Sequence, residues 1–149
     1  MSIGQVRPKV MSWIAGIFLA AFLFSTFPVR AETPALTDPV QMVVAKQLSA
    51  FRDRNSTEAY AALSSAFQGK YKSPLRFATM MRLNFWELYN HVSYRFLGRS
   101  HAGGFEIQKV EVKGEDDQSY VFLFRLVRSA AGDWQIDNVL MLDPDGQQI

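Results

Sequence analysis

The change of pattern that decides the fold lies in residues 84–98, NFWELYNHVSYRFLG. Up to Asn90 the apolar residues recur at helical spacing, whereas from Val92 onward they alternate with polar residues. A period near 3.6 is typical of an amphipathic helix, and a period of two is typical of a strand with one buried face. The sequence therefore predicts helices before this stretch and strands after it, which is a segregated α+β plan.

Three helices are predicted before the change of pattern, over residues 38–54, 55–67 and 73–90. Pro39 and Pro74 suit the first turns of the first and third helices, because a helix leaves those N–H groups unpaired. The glycine of QGKYK, residues 68–72, is expected to end the second helix. The third helix has a wide apolar stripe, so we expect it to be sandwiched or to line a cavity. The residues that widen the stripe are Met80, Leu83, Trp86 and Tyr89.

Four strands are predicted after it, in HVSYRFLG (91–98), GGFEIQKVEVKG (103–114), SYVFLFRLVRS (119–129) and GDWQIDNVLML (132–142). Short turns separate the later strands, so the sheet is expected to be antiparallel. The apolar phase shifts within the second strand, which predicts a bulge near Gln108 and Lys109. The third strand is nearly continuously apolar, so both its faces are expected to be covered. A bulged sheet curled around the helices would form a cone with an open mouth.

The N-terminal segment predicts export. Residues 1–31 hold three basic residues and no acid, and residues 10–29 carry no charge. A basic start, an apolar stretch and small residues before Glu32 are typical of a secretory signal peptide. The alternative is an uncleaved membrane anchor over residues 10–29, although Pro28 shortens the apolar run. The protein is therefore expected in the periplasm or outside the cell.

The predicted organisation has one folded domain. It comprises a signal peptide (1–31), a flexible leader (32–37), an α+β domain (38–142) and a polar tail (143–149). Loss of the signal peptide leaves 13 of 16 basic residues against 14 acidic ones, a net charge of −1 instead of +2. Nucleic acid is therefore not an expected partner. The chain has no cysteine, which excludes thiol catalysis, disulfides and cysteine-ligated metals.

A family resemblance rests on three stretches: QLSAFRDRNSTEAYAALS (47–64), KSPLRFATMMR (72–82) and GDWQIDNVLML (132–142). Over residues 38–142 the chain resembles an uncharacterised bacterial family of secreted proteins, a domain of unknown function. That family is placed in the nuclear-transport-factor-2-like (SnoaL-like) superfamily of cone-shaped folds. The resemblance implies N-terminal helices packed on a curved antiparallel sheet of about four strands. The superfamily includes isomerases, dehydratases and assembly modules that often pair through the sheet face, so the resemblance implies no single function.

Six residues are candidates for lining a ligand pocket in the cone. Trp134 either caps the core at the start of its strand or forms a pocket wall. Tyr94 is either a ligand-binding hydroxyl or a core tyrosine with one hydrogen bond, and His91 is either a polar junction residue or a general base. The full set is Trp86, His91, Tyr94, Phe96, Phe124 and Trp134.

Asp137 is the acid that stands out within an apolar strand. The even-numbered face of that strand, which carries Trp134, is the more apolar and is expected to point into the cone. Asp137 is then expected on the outer face, where it needs no special role. Arg125 is expected to reach solvent, to pair with an acid such as Asp137, or to act as a pocket cation. The histidines His91 and His101 lack any ligand spacing, so neither a metal nor another cofactor is predicted.

The predicted function is that of a non-catalytic exported module, which binds a small apolar ligand in the cone or a protein partner through the sheet. One alternative is a structural domain with a filled cone that forms a homodimer through the sheet face. A second alternative is an isomerase- or dehydratase-like enzyme, which needs Asp137, Glu87 or His91 to face a cavity with a donor opposite. The sequence favours a protein without enzymatic activity but does not decide between the two. A membrane contact is expected only if the N-terminal segment is uncleaved.

Overall fold

The computed structural model describes residues 37–143. The predicted signal peptide, most of the leader and most of the tail lie outside these residues. Among residues 37–143, no helix has the length and apolar character that crossing a bilayer requires. The helices are α1 (Pro39–Arg52), α2 (Ser56–Ala61), α3 (Ser65–Tyr71), α4 (Pro74–Asn84) and α5 (Trp86–Tyr89). The strands are β1 (Ser93–Ala102), β2 (Phe105–Lys113), β3 (Ser119–Arg128) and β4 (Trp134–Leu142).

The four strands form one antiparallel sheet in the order β1-β2-β3-β4. The helices pack on one face of this sheet, so the predicted α+β class is confirmed. Helices α1 and α4 begin at Pro39 and Pro74, as predicted. The residue before each proline caps the helix: Asp38 accepts hydrogen bonds from the N–H groups of Val40 and Gln41, and Ser73 accepts one from that of Arg76. These bonds satisfy N–H groups that the first turn leaves free.

The predicted second helix is wrong over residues 62–64, because α2 ends at Ala61 and the chain is extended at Ser64, with φ −61° and ψ 155°. The Ile136 N–H donates to the Ala62 carbonyl at 2.9 Å, and the Ser64 N–H donates to the Ile136 carbonyl at 2.8 Å. This short parallel bridge to β4 separates α2 from α3. Gly69 lies inside α3, and the helix ends at Lys72 with a φ of 62°, so the predicted glycine stop is also wrong.

The predicted third helix is divided at Phe85, which leaves the helical region with φ −137° and ψ 52°. The widened stripe is wrong at two of its four positions, since Leu83 is 73% exposed and Trp86 is 49% exposed. At the other two positions, Met80 and Tyr89 are partly buried and pack against the core. The stripe is therefore wider than a single row, but it does not reach the exposed side of the segment.

The predicted bulge in β2 is wrong, because β2 and β3 pair without interruption from Glu106 to Lys113. Gln108 faces the helices and is fully buried. The apolar alternation therefore only looks shifted, because a polar residue occupies an inward position. The β1–β2 register instead shifts on the β1 side, between Phe96 and Arg99, opposite Lys109. The β3–β4 register shifts on the β4 side, opposite the step from Arg125 to Leu126.

Asp137 is the extra residue of the β4 bulge. Leu126 pairs with Ile136 and Arg125 pairs with Asn138, which leaves Asp137 without an opposite residue. An extra residue reverses the alternation of faces along a strand. Val139 is therefore buried, and the prediction that the even-numbered face points inward along the whole strand is wrong after Ile136.

Side chains fill the space between the helices and the sheet. A void large enough for water would leave accessible surface on the side chains that border it, and the central sheet residues have none. These residues are Val110, Val112, Phe122, Phe124, Leu126 and Ile136. The other face of β3 is only half-buried at Val121, Leu123 and Val127, so the prediction that both faces are covered holds for one face.

Candidate functional site

The six candidate pocket residues lie in four separate places. His91, Tyr94 and Phe96 are together: the ring centroids of His91 and Tyr94 are 5.7 Å apart, and those of Tyr94 and Phe96 are 5.6 Å apart. Phe124 is fully buried in the core, whereas half-exposed Trp86 and half-buried Trp134 border different surface clefts. These residues therefore do not surround one common cavity.

His91 is a buried imidazole, 5% exposed, at the junction between α5 and β1. Its Nδ1 lies 2.8 Å from the Leu88 carbonyl oxygen, and its Nε2 has no hydrogen-bond partner among the described residues. Burial, opposed by the Leu88 hydrogen bond and assisted by the nearby charges of Arg52 and Arg54, lowers the pKa of His91 below its usual 6.5. The imidazole is thus neutral, with an Nδ1–H donor to Leu88.

The stability of the protein is expected to fall in mild acid because of His91. Since the folded-state pKa is lowered, the unfolded chain takes up this proton first, so stability is complete above pH 6.5 and is lost below it. One such proton contributes a slope of at most about 1.4 kcal/mol per pH unit. Urea unfolding from pH 7.5 to 5 should show a shallower slope for His91→Gln than for the unmodified protein. An unchanged slope would contradict the assignment, and exposed His101→Gln is the control.

The cleft beside Trp86 is acidic. It has a volume of about 290 Å³ and is lined by Trp86, Glu87, Asn90, Glu115 and Asp116. The Tyr120 hydroxyl donates to Asp116 at 2.6 Å, which lowers the pKa of Asp116 and raises that of Tyr120 to about 12. Both groups therefore keep their ordinary charges at neutral pH, and this cleft offers no titrating acid or base from that pair.

Asp137 bridges the sheet and α3. Its Oδ2 lies 2.6 Å from Arg125 Nη2, and its Oδ1 accepts a hydrogen bond from the Ser64 hydroxyl at 2.8 Å. The same Ser64 oxygen caps α3 by accepting the Phe67 N–H. With 15% of its side chain exposed, Asp137 is less open than expected, and its pairing with Arg125 is one of the alternatives that the sequence left open. Both carboxylate oxygens are occupied, so the group has a structural role.

A different cleft lies on the face of the sheet that points away from the helices. It has a volume of about 380 Å³ and is lined by Ile107, Leu123, Arg125, Asn138 and Leu140, which we call the outer sheet face. Leu123 and Leu140 are directly opposite in the β3–β4 register. Arg125 is paired with Asp137, and its guanidinium carbon lies 4.8 Å from the centroid of the Phe105 ring.

Two contributors, Ser64 and Arg128, were missed in the sequence analysis. Ser64 lay inside a predicted helix, and nothing local marked its bond to Asp137, 73 positions away. Arg128 lies over the Trp134 ring at 4.4 Å, and the short AAGD turn between β3 and β4 was the available signal that these residues are opposite. Among residues 37–143 there is also no group of three side chains that could hold a metal ion.

The geometry defines a small α+β domain with a filled interior, whose clefts lie on its surface. The chain belongs to the family described as Domain of unknown function DUF4864, whose model matches residues 34–149. No curated protein matches the chain. Among solved structures, the chain is similar to an NTF2-like protein of unknown function from Burkholderia pseudomallei K96243. The alignment has 12% identity and a TM-score of 0.31, and covers 74% of this chain and 86% of the other. The prediction of a family of unknown function is confirmed. The secreted and bacterial attributes stay predictions.

Proposed function

We propose that the protein is an exported, non-catalytic assembly domain that forms a homodimer through its outer sheet face. The observation that carries this proposal is the contrast between the two faces of the sheet. The inward residues have no accessible surface, whereas the outer face leaves leucine and isoleucine side chains partly open. A filled interior supports an external surface as the place where the protein acts.

The outer sheet face has the composition of an interface centre. Ile107, Leu123 and Leu140 supply apolar surface, and Asn138 supplies a neutral amide among them. The face is not a continuation of the core, because the sheet separates it from the helices. Apolar surface that is contiguous and rimmed by polar residues is typical of protein interaction sites.

The charges of this face support a second copy as the occupant. In a twofold dimer the same patch meets itself, so unpaired like charges at its centre would repel. Here Arg125 is paired with Asp137, and Arg95 is paired with Glu111 at 2.6 Å, both within one chain. Exposed Lys109 neighbours Leu123, and its long aliphatic stem can lie along the face with the ammonium group at the rim.

The absence of an assembled catalytic pair supports a non-catalytic role. Of the three candidate groups, Asp137 is saturated by Arg125 and Ser64, and His91 is buried with a free Nε2. Glu87 lies in the acidic cleft beside Trp86. Among the described residues, no hydrogen bond joins any two of these three groups into an acid–base pair.

Native mass spectrometry of the protein purified from its own cells tests export and assembly together. We expect a chain that begins at Glu32, after signal-peptide cleavage, and an assembly of twice that mass. A full-length chain recovered from the membrane would contradict cleavage and support the anchor. A cleaved chain that stays monomeric at micromolar concentration would contradict the homodimer. The two parts of the proposal therefore fail independently.

A further inference from the structure

We propose that the cleft between α1 and the β3–β4 hairpin binds a monoanionic amphipathic carboxylate. The cleft has a volume of about 380 Å³ and is lined by Pro39, Met42, Val43, Arg128, Gly132, Asp133 and Trp134. It is separate in its lining from the outer sheet face. This site adds a small-molecule ligand to a domain whose proposed assembly surface lies elsewhere.

One wall of the cleft is apolar and open. Val40 and Val44 of α1 are buried in the core, whereas Met42 on the same helix is 51% exposed. Methionine is flexible and polarisable, and it adapts to apolar ligands of varied shape. Together with Pro39, Val43 and the half-buried Trp134 ring, it gives an alkyl chain a continuous surface to lie against.

The cation at the hairpin end of the cleft is held in a defined position. The Arg128 guanidinium lies 4.4 Å from the centroid of the Trp134 ring, and its Nη1 donates to the Gly132 carbonyl at 2.8 Å. Among residues 37–143, no carboxylate lies within 4.0 Å of Arg128, in contrast to Arg95, Arg99 and Arg125. Stacking and one hydrogen bond orient the planar guanidinium, and its remaining N–H groups suit a carboxylate.

Asp133 restricts the charge of the ligand. Its backbone is fixed by hydrogen bonds with Ser129 in the turn, and its exposed side chain borders the same cleft. The Asp133 carboxylate repels negative charge near Arg128, so a ligand with one negative charge is favoured over a ligand with two. The expected ligand therefore has a single carboxylate and an alkyl chain, rather than a phosphate dianion. A volume near 380 Å³ lies toward the lower end for ligand pockets, which favours a chain of medium length.

Isothermal titration calorimetry with decanoate tests this site on the mature protein. We expect saturable 1:1 binding per protomer, weakened about 10-fold or more in Arg128→Gln, because a charge-assisted hydrogen bond is lost. Decanol and decyl phosphate should bind more weakly than decanoate. In Asp133→Asn the difference in affinity between decanoate and decyl phosphate should be smaller, because the repulsion of the second negative charge is reduced. Arg82→Gln, which removes an exposed arginine on α4, should bind decanoate normally.

Two results would overturn the site. They are equal decanoate binding by Arg128→Gln and the unmodified protein, or no binding at millimolar decanoate. If Arg128→Gln alters the hairpin, Met42→Glu provides a second variant, because Met42 is exposed and a carboxylate there should exclude the ligand. The oligomeric state of each variant, measured in parallel, separates failure of this site from failure of the proposed homodimer.

Discussion

Phe124→Ala is expected to lower the free energy of unfolding by about 3–5 kcal/mol. Phe124 has no accessible surface, and it pairs with Gln108 on β2 and Val139 on β4, which are also buried. Truncation would open a cavity in the middle of the sheet that these neighbours cannot close without moving the backbone. The measurement is urea unfolding monitored by circular dichroism.

The control for this prediction is Leu83→Ala. Leu83 is 73% exposed on α4, so the same kind of truncation should change stability by about 0.5 kcal/mol or less. If Phe124 instead lined an open pocket, its truncation would enlarge a space already present and cost little. A loss below about 1 kcal/mol for Phe124→Ala would therefore contradict the filled interior.

The division into helices and strands could be predicted from local periodicity. The buried positions Val44, Leu48 and Phe51 recur at helical spacing, and β1 begins close to where the alternation begins. These signals reflect one buried face per element, which each element carries in its own residues. The antiparallel pairing of the later strands followed from the short turns between them.

The interruptions could not be predicted from local pattern. Residues 62–64 leave the helix because their backbone groups bond to Ile136, more than 70 positions along the chain. The bulge at Asp137 could not be predicted for the same reason, because it arises from the pairing of β4 with β3 and not from the alternation within β4. Hydrogen bonds between distant segments decided both features.

The candidate pocket residues were chosen by residue type, and type does not decide whether a ring meets a cavity. Phe124 and Trp86 are both large aromatics, yet one is fully buried and the other is half-exposed. The useful signal lay in the hairpin: the turn between β3 and β4 places Arg128 opposite Trp134. Trp134 borders a surface cleft and not the interior of the cone. Whether this cleft binds a ligand is what the decanoate titration tests.

Leu123→Glu is expected to dissociate the homodimer by raising its dissociation constant about 30-fold or more. Leu123 lies on the outer sheet face opposite Leu140, and in a twofold dimer each copy would bring one buried carboxylate to the same apolar centre. A carboxylate that enters such an apolar centre loses its hydration. The fold should survive, because the Leu123 side chain is not part of the buried core.

Leu83→Glu is the matched control, since it makes the same substitution at an exposed helical position away from the sheet. Circular dichroism of both variants establishes that each is folded before its assembly is compared. A dimer that is weakened equally by both variants would point to net charge as the cause, and not to the outer sheet face.

Sedimentation velocity of the mature protein across a concentration series, with both variants alongside it, tests assembly through the outer sheet face. We expect a dimer for the unmodified protein and for Leu83→Glu, and a monomer for Leu123→Glu over the same range. A monomer for all three proteins, or a dimer that Leu123→Glu leaves intact, would contradict assembly through the outer sheet face.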